Sequence, residues 1–453
     1  MAKRVRILHI YPGFLKESLE RDKLEPILRR SLRYRLVELL EQKLFFNSRH
    51  PKYRLMRTLK RTEDVVQTML EVLRGLPNIT DYYVTWCGLP CISRTAFPFV
   101  STVFQAKLRK LSLDVSLENV TNLLGPSFHV KQLEELHLCI HSENIESPFE
   151  RNDIMISHLA PSISRHRATL HTLIIESWRA TDLSPLFRTI DRLPALHELS
   201  VAIPIEATHL GDPRGLTHFL NMHQSNLHTL QLRATQYGGL FPDPASLDTW
   251  IRDAMIGVKL AKLRVLDIRS NLIPIDTSFL CLRQFSQTIT SLSLTGSYMS
   301  FHDVDEIIHF LITPGPLTNF ASLRIGLISL SPQLLDLISS KLSKLSRLEL
   351  IVKYVLPHAT DTPLLNKRQG EGQRTSQIVS FPPCLFFFFF SKVFFIFLLF
   401  KDKFLITMEQ RLYPNWQLDH MSLLVEGLPF RSEYETLLEQ TFFHCIPSVK
   451  TYT

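Results

Sequence analysis

Cysteine is scarce in this sequence, with six in 453 residues. So few cysteines in so long a chain do not build a disulfide framework. Cys87 and Cys91 are close in sequence, but no second cysteine pair or paired histidines follow them, so a zinc site is not predicted. The N-terminal residues are charged and lack the apolar core of a signal peptide. We therefore expect reduced thiols and a cytoplasmic or nuclear protein.

Catalytic sequence motifs are also missing. The chain has no phosphate-binding glycine-rich loop, no G-x-S-x-G and no H-E-x-x-H. Its 18 histidines are scattered. His137 and His141 fall on a predicted strand and its following turn, where no shared helix face would orient them as ligands. The sequence thus predicts no enzyme activity, no cofactor and no metal.

Positive charge is confined to one end of the chain. Residues 1–74 hold 18 Lys/Arg and 9 Asp/Glu, a net charge of +9, whereas the remainder holds 33 and 34, a net of −1. Leu28, Leu32, Leu36 and Leu40 have helical spacing, with arginines between them. A nucleic-acid surface is one interpretation. A solvated basic helix face over the end of a repeat domain is favoured, and no nucleic-acid partner is predicted.

One short pattern recurs along the chain: an apolar residue, two others, an apolar residue, one other, and an apolar residue. The twelve occurrences are Val5-Leu8-Ile10, Ile79-Tyr82-Val84, Leu108-Leu111-Leu113, Leu133-Leu136-Leu138, Leu170-Leu173-Ile175, Leu196-Leu199-Val201, Leu227-Leu230-Leu232, Leu263-Leu266-Ile268, Ile289-Leu292-Leu294, Phe320-Leu323-Ile325, Leu345-Leu348-Leu350 and Leu418-Met421-Leu423. Nine of the eleven intervals between successive starts are 25 to 37 residues, which is the length of one strand, one helix and two turns. The last two apolar residues share one side of a strand, so stacked parallel strands would bury them.

The segments between the patterns have helix signals. Ser331 followed by Pro332 is a typical N-cap and first helical residue. Asp303 is a second candidate cap, and an apolar stripe from Leu183 to Leu193 indicates a third helix. The predicted fold is α/β: an irregular solenoid with a curved parallel sheet on the concave face and helices on the convex face.

The chain resembles leucine-rich-repeat proteins, specifically the irregular repeats found downstream of F-boxes in fungal F-box-like proteins. One unit has the fuller repeat signature Leu263, Leu266, Ile268, Asn271 and Ile273, and the phrases 76–86 and 193–199 are similar to that group. The resemblance implies substrate recruitment to an SCF-type ubiquitin ligase. No F-box-like stretch precedes the repeat pattern, so a Skp-type adaptor is expected only if an F-box lies upstream of Met1. The alternative is an incomplete or decaying gene product without a ligase role.

A Phe-rich tract, Leu385 to Phe400, interrupts the repeats. A translated intron is the preferred interpretation, because a T-rich stretch encodes phenylalanine and removal of residues 366–410 would restore the repeat interval. A membrane tether is the alternative, although a spanning helix needs about 20 apolar residues. The predicted domains are therefore a basic N-terminal cap (1–75), leucine-rich repeats (76–360), the insertion (361–411) and a terminal repeat with its cap (412–453).

The predicted binding surface is the concave face, where a protein partner would lie. Arg233 and Arg269 are expected on neighbouring strands with Gln231 and Asp267 beside them, which would suit an acidic or phosphorylated segment. The alternative is that Asp267 only neutralises the arginines. The candidate partner-binding residues are Gln231, Arg233, Asp267, Arg269, Arg324, Tyr83 and Trp86. Core packing is the alternative for Trp86.

Overall fold

The computed structural model describes residues 4–11, 69, 71–86, 107–124, 130–142, 145–177, 182–204, 211–235, 244–269, 275–312, 319–358, 402–426 and 433–453. These fall into two compact units. The first comprises Met1–Leu227, Thr235–Asp243 and Asp253–Leu260, and the second comprises His228–Ala234, Pro244–Arg252 and Ala261–Thr453. The basic helix predicted around Leu28 and the tract 385–400 lie outside the described residues.

Each unit is built on parallel strands that pair in sequence order. In the first unit these are β1 (Ile7–Ile10), β2 (Asp81–Thr85), β3 (Lys110–Ser116), β4 (Glu135–His141), β5 (Thr172–Ser177) and β6 (Glu198–Pro204). In the second they are β7 (Thr229–Thr235, all but its last residue), β8 (Val265–Arg269), β9 (Ser291–Met299), β10 (Ser322–Leu330), β11 (Arg347–Val355), β12 (His420–Val425) and β13 (Thr451–Tyr452).

Helices connect most of the strands. They are α1 (Leu117–Leu123), α2 (Pro148–Ile154), a π-helical turn (Met155–Leu159), α3 (Ala160–Ser164), α4 (Ser184–Thr189), α5 (Arg214–Met222), α6 (Pro244–Met255), α7 (Ile275–Phe285), α8 (Phe301–Ile312), α9 (Pro332–Lys341) and α10 (Glu433–Cys445). Residues 402–409 are also helical. A strand followed by a helix, repeated along the chain, gives the α/β architecture predicted from the pattern, and it is consistent with leucine-rich-repeat-like organisation.

The repeated apolar pattern coincides with the strands. Leu111, Leu136, Leu173 and Leu199 are register partners along β3 to β6, and all are buried. Burying aliphatic side chains in such columns stabilises the stack by about 1.5–3 kcal/mol per side chain. The twelve occurrences of the pattern correspond to β1 through β12. The short β13 was missed, because Val449 and Tyr452 match only the first two apolar positions of the pattern and the third would fall after Thr453.

Two of the three helix predictions need adjustment. Ser331 caps α9 as predicted, with its side chain accepting a hydrogen bond from the Leu334 N–H. Asp303, however, is not the N-cap of α8: the helix begins at Phe301, and Asp303 lies in its first turn. The Asp303 carboxylate accepts from the Ser300 N–H while the Asp303 N–H donates to the Ser300 hydroxyl. This reciprocal pair is the geometry of a capping box.

The third predicted helix is shorter than its apolar stripe. Helix α4 ends at Thr189. Ile190 and Leu193 follow it and are still buried. Their burial, rather than a continued helix, explains their apolar character.

The last residues of the predicted insertion are packed against the second unit. Residues 402–409 form a helix in the second unit, where Phe404 and Met408 are fully buried. The Cys445 thiol donates to the carbonyl of Met408 at 3.0 Å. This segment is part of the packed second unit. Removing the whole predicted insertion (361–411) would therefore also remove the core side chains Phe404 and Met408. Within the described part of the chain, no helix is long and apolar enough to cross a membrane.

Candidate functional site

The predicted arginine pair occupies neighbouring strands in the second unit. Arg233 on β7 is the register partner of Arg269 on β8, and Gln231 is the register partner of Asp267. The polar column continues from Asp267 to Ser293 on β9 and then to Arg324 on β10. Neighbouring strands lie about 4.8 Å apart, so these side chains form one surface. We call Gln231, Arg233, Asp267, Arg269 and Arg324 the arginine face.

Asp267 forms an ion pair with Arg269, one of the arginines of this face. Arg269 Nε lies 3.0 Å from Oδ1 and 2.7 Å from Oδ2 of Asp267. The carboxylate is almost buried, with 5% of its side chain exposed, whereas 40% of the Arg269 side chain is exposed. A buried carboxylate that accepts from a guanidinium holds it in one orientation. Asp267 therefore positions Arg269 and leaves part of its guanidinium facing solvent.

The other two arginines have different partners. Arg233 Nη2 donates to Oε1 of Gln231 at 3.1 Å on the same strand. Arg324 Nε lies 3.1 Å from Oε2 of Glu349 on β11, and Arg347 Nε lies 2.6 Å from the other oxygen of that carboxylate. Glu349 thus bridges two arginines. Glu349 was not among the residues predicted for this surface.

A second polar group lies farther along the strands of the same unit. The Tyr298 hydroxyl donates to Oε1 of Glu426, and the Lys353 ammonium lies 4.0 Å from the centroid of the Tyr298 ring. This separation is within the range of a cation–π contact. These residues follow the apolar pattern by several positions, so the periodicity did not point to them.

In the first unit, Tyr83 and Trp86 have different environments. The Tyr83 ring stacks on His9 of β1 with centroids 4.5 Å apart, and Lys110 Nζ lies 5.6 Å from its centroid. Tyr83 is half-buried, so part of its side chain faces solvent. Trp86 is 2% exposed, and its backbone N–H donates to the carbonyl of Asp114. Trp86 therefore packs in the core and offers no surface anchor, which corrects its selection as a partner-binding residue.

Three metal-ligating side chains converge on β3 and β4 of the first unit. Asp114 is the register partner of Cys139, and His141 follows on the same face of β4. Asp114, Cys139 and His141 each offer one donor atom, and these three atoms lie within 4.8 Å of one another. We call this group the Asp–Cys–His cluster. His141 is the last residue of β4 rather than part of the following turn, which corrects its predicted position.

The Asp–Cys–His cluster has a polar neighbour on the same strand. His137 Nδ1 is 3.1 Å from the Ser112 hydroxyl, and its Nε2 is 3.4 Å from Oε2 of Glu176 on β5. Sequence reasoning missed the cluster because it expected His141 in the turn after the strand, although Asp114 and Cys139 occupy equivalent positions of neighbouring repeats. Only the register predicted from the repeat could have placed them side by side.

Comparison with known proteins adds little. No protein-family model matches the chain, and no curated protein does. Among solved structures, the crystal structure of a Rad7 and Elc1 complex in yeast is similar at 14% identity and a TM-score of 0.32, covering 67% of this chain and 79% of that chain. Values this low do not transfer a function. The class of the protein therefore rests on its own architecture, parallel strands in sequence order alternating with helices.

Proposed function

We propose that this chain is a non-catalytic protein-interaction module and that the arginine face binds an acidic or phosphorylated segment of a protein partner. The main support is the register of Arg233 with Arg269, which places two guanidinium groups on adjacent strands. Guanidinium groups bind carboxylate and phosphate oxygens through paired N–H donors. Rigid strands hold such donors in place more firmly than loops do.

The ion pairs within the arginine face suit this role. Asp267 and Glu349 are largely buried and hold Arg269 and Arg324 by the Nε side of each guanidinium. Fixing these side chains in advance reduces the conformational entropy lost on binding. An incoming anion meets arginines that are already oriented, although the two carboxylates offset part of their charge.

The test is binding of purified protein to arrayed peptides in matched sets, each with serine, glutamate or phosphoserine at one position. We expect the wild type to prefer the glutamate and phosphoserine members. The double variant Arg233→Glu, Arg269→Glu should bind those members at least about tenfold more weakly, because each charge-assisted hydrogen bond contributes roughly 1.5–3 kcal/mol.

The matched control changes the same amount of charge elsewhere. Lys259 and Lys262 are exposed in the turn before β8. The double variant Lys259→Glu, Lys262→Glu should bind peptides as the wild type does. Equal weakening in both variants would mean that net charge, rather than the arginine face, controls binding. Absence of any preference among the peptide sets would refute an anionic partner.

A finer role, substrate receptor of an SCF-type ubiquitin ligase, is also proposed. Its support is the similarity of the repeat pattern to F-box-associated repeats. A full-length transcript read from upstream of Met1 through Arg411 tests it. An in-frame F-box, followed by co-purification of a Skp-type adaptor with the encoded protein, would support this role, and a transcript without an F-box would remove its basis.

A further inference from the structure

We propose that the Asp–Cys–His cluster of the first unit binds a divalent transition-metal ion, with Zn²⁺ as the best chemical match. Asp114, Cys139 and His141 supply an oxygen, a sulfur and a nitrogen, which are the three donor types that zinc accepts in proteins. The proposal is separate from the arginine face, which lies in the other unit and contributes none of these residues.

The strand register creates the site. The pairing of β3 with β4 places Asp114 beside Cys139, and the two-residue period of a strand places His141 on the same face. Tetrahedral ligands around zinc lie roughly 3.3–3.8 Å apart, given metal–ligand bonds of about 2.0–2.3 Å. Asp114 Oδ1 and His141 Nδ1 are 3.5 Å apart. The largest separation in the group, 4.8 Å at most, closes by side-chain adjustment of less than about 1.5 Å.

The environment of His141 points independently to a ligand. The residue is 3% exposed, and its Nε2 is buried without a hydrogen-bond partner among the described residues. Its Nδ1 lies 3.5 Å from the Asp114 carboxylate, longer than a good hydrogen bond. A buried imidazole whose nitrogen atoms are poorly satisfied costs free energy. Coordination of a metal ion through Nδ1, the nitrogen beside the Asp114 carboxylate, would satisfy one of the two ring nitrogens and offset part of that cost.

The donor set selects among metal ions. A thiolate favours zinc and related transition metals, whereas Mg²⁺ and Ca²⁺ take oxygen ligands. On binding, the Cys139 thiol transfers its proton to solvent and the sulfur coordinates the ion as thiolate. Three protein ligands leave a fourth position for water. Asp114 is the most exposed ligand, with 34% of its side chain accessible, so that position would face solvent on its side.

The test is titration of the purified full chain, first stripped with a chelator, with Zn²⁺ by calorimetry and with Co²⁺ by absorption. We expect one equivalent of Zn²⁺ to bind, and a thiolate-to-cobalt charge-transfer band with Co²⁺. Asp114→Asn and Cys139→Ser should each weaken binding at least tenfold, and Cys139→Ser should abolish the charge-transfer band. Asp114→Asn preserves size at a partly exposed position, so it remains informative if Cys139→Ser folds poorly.

Two controls separate this site from other thiols. Cys281 is buried in the second unit, and burial raises the pKa of its thiol to about 12, so Cys281→Ser should leave metal binding unchanged. The double variant Cys87→Ser, Cys91→Ser should also bind as the wild type does. Absence of stoichiometric binding, retention of affinity in Asp114→Asn, or loss of binding in the Cys87/Cys91 variant would overturn the proposal.

Discussion

Two buried histidines join successive repeats by the same hydrogen bonds. His166 and His223 each stand four residues before the leucine that opens a strand pattern, Leu170 and Leu227. In both, Nδ1 contacts the carbonyl four residues earlier, at 2.8 and 2.7 Å. In both, Nε2 accepts a backbone N–H of the preceding repeat, from Val130 or Leu193. These histidines satisfy buried backbone groups, which is a structural role.

Protonation of His223 would break its bond to the preceding repeat. Burial is the main cause of the lowered pKa of His223. In the unfolded chain a histidine titrates near pH 6.5, so below that pH the unfolded state binds more protons than the folded state does. The contribution of His223 to the free energy of unfolding should therefore be fully present above about pH 6.5 and be lost as the pH falls below it.

The corresponding variant is His223→Ala. We expect a loss of about 2–4 kcal/mol at neutral pH, because the Leu193 N–H loses its acceptor and a cavity remains. The loss should shrink toward pH 5, since the variant lacks the titrating group. Denaturant unfolding at several pH values measures both effects. His218→Ala, on the exposed side of the same helix, should leave the free energy of unfolding nearly unchanged.

Some residues of the candidate sites could be predicted from the sequence, and others could not. The repeat pattern predicted Arg233 and Arg269 at equivalent positions of neighbouring strands, and the two residues are register partners. Trp86 was ambiguous because a tryptophan after a strand fits either a surface anchor or the core, and only the packing decides. The Asp–Cys–His cluster was missed although the repeat places Asp114 and Cys139 at equivalent positions of neighbouring strands, because His141 was expected in the turn after the strand.

At the scale of elements, the contact between α4 and α5 depends on a glycine. A Cβ atom built at Gly215 would lie 2.7 Å from both the Cα and the carbonyl oxygen of Ser184. The Ser184 hydroxyl also donates to the carbonyl of Asp212 at 2.6 Å, so the start of α4 lies against the segment that opens α5. Backbone atoms cannot move aside as a flexible side chain would, so the close approach requires the absence of a side chain.

Gly215→Ala tests this packing. An alanine would favour the helix by up to about 1 kcal/mol in isolation. The clash with Ser184 should outweigh that gain and give a net loss of about 1–3 kcal/mol. Thermal unfolding shows whether Gly215→Ala lowers or raises the melting temperature. Arg214→Ala, at the exposed neighbouring position, is the control and should change the melting temperature little. A stabilised Gly215→Ala variant would show that α4 and α5 pack less closely.

At the scale of the whole molecule, the chain between β11 and β12 separates into a packed part and a part outside the described residues. Arg411 lies 3.2 Å from both carboxylate oxygens of Asp336 on α9, and the Tyr413 hydroxyl donates to the same carboxylate at 2.6 Å. Together with the burial of Phe404 and Met408, these bonds tie residues 402–413 to the second unit. The translated-intron hypothesis therefore stays open only for residues N-terminal to this segment.

Changes to the Phe-rich tract and to the packed segment 402–413 test these two parts of the chain separately. Replacing Leu385–Phe400 with a Gly/Ser linker of equal length should leave the thermal unfolding of the protein unchanged. Phe404→Ala should cost about 3–5 kcal/mol and Met408→Ala about 2–5 kcal/mol, because each deletes a buried side chain. Recovery in the membrane fraction, compared with and without Leu385–Phe400, tests the membrane-tether alternative in the same experiment. Strong destabilisation by the linker would mean that the Phe-rich tract belongs to the core.

The sequence by itself determined the α/β class, the twelve patterned strands and the polar surface between their apolar positions, because burial on one side of a strand imposes a two-residue period that short motifs reveal. The tertiary structure alone decided the partners across strands: the convergence of His141 with Asp114 and Cys139, the pairing of Arg324 with Glu349, and the histidine bonds between repeats. It also decided that residues 402–409 belong to the core. Such contacts join residues that lie one or more repeats apart, and their geometry follows from strand register and side-chain packing, which no local pattern encodes.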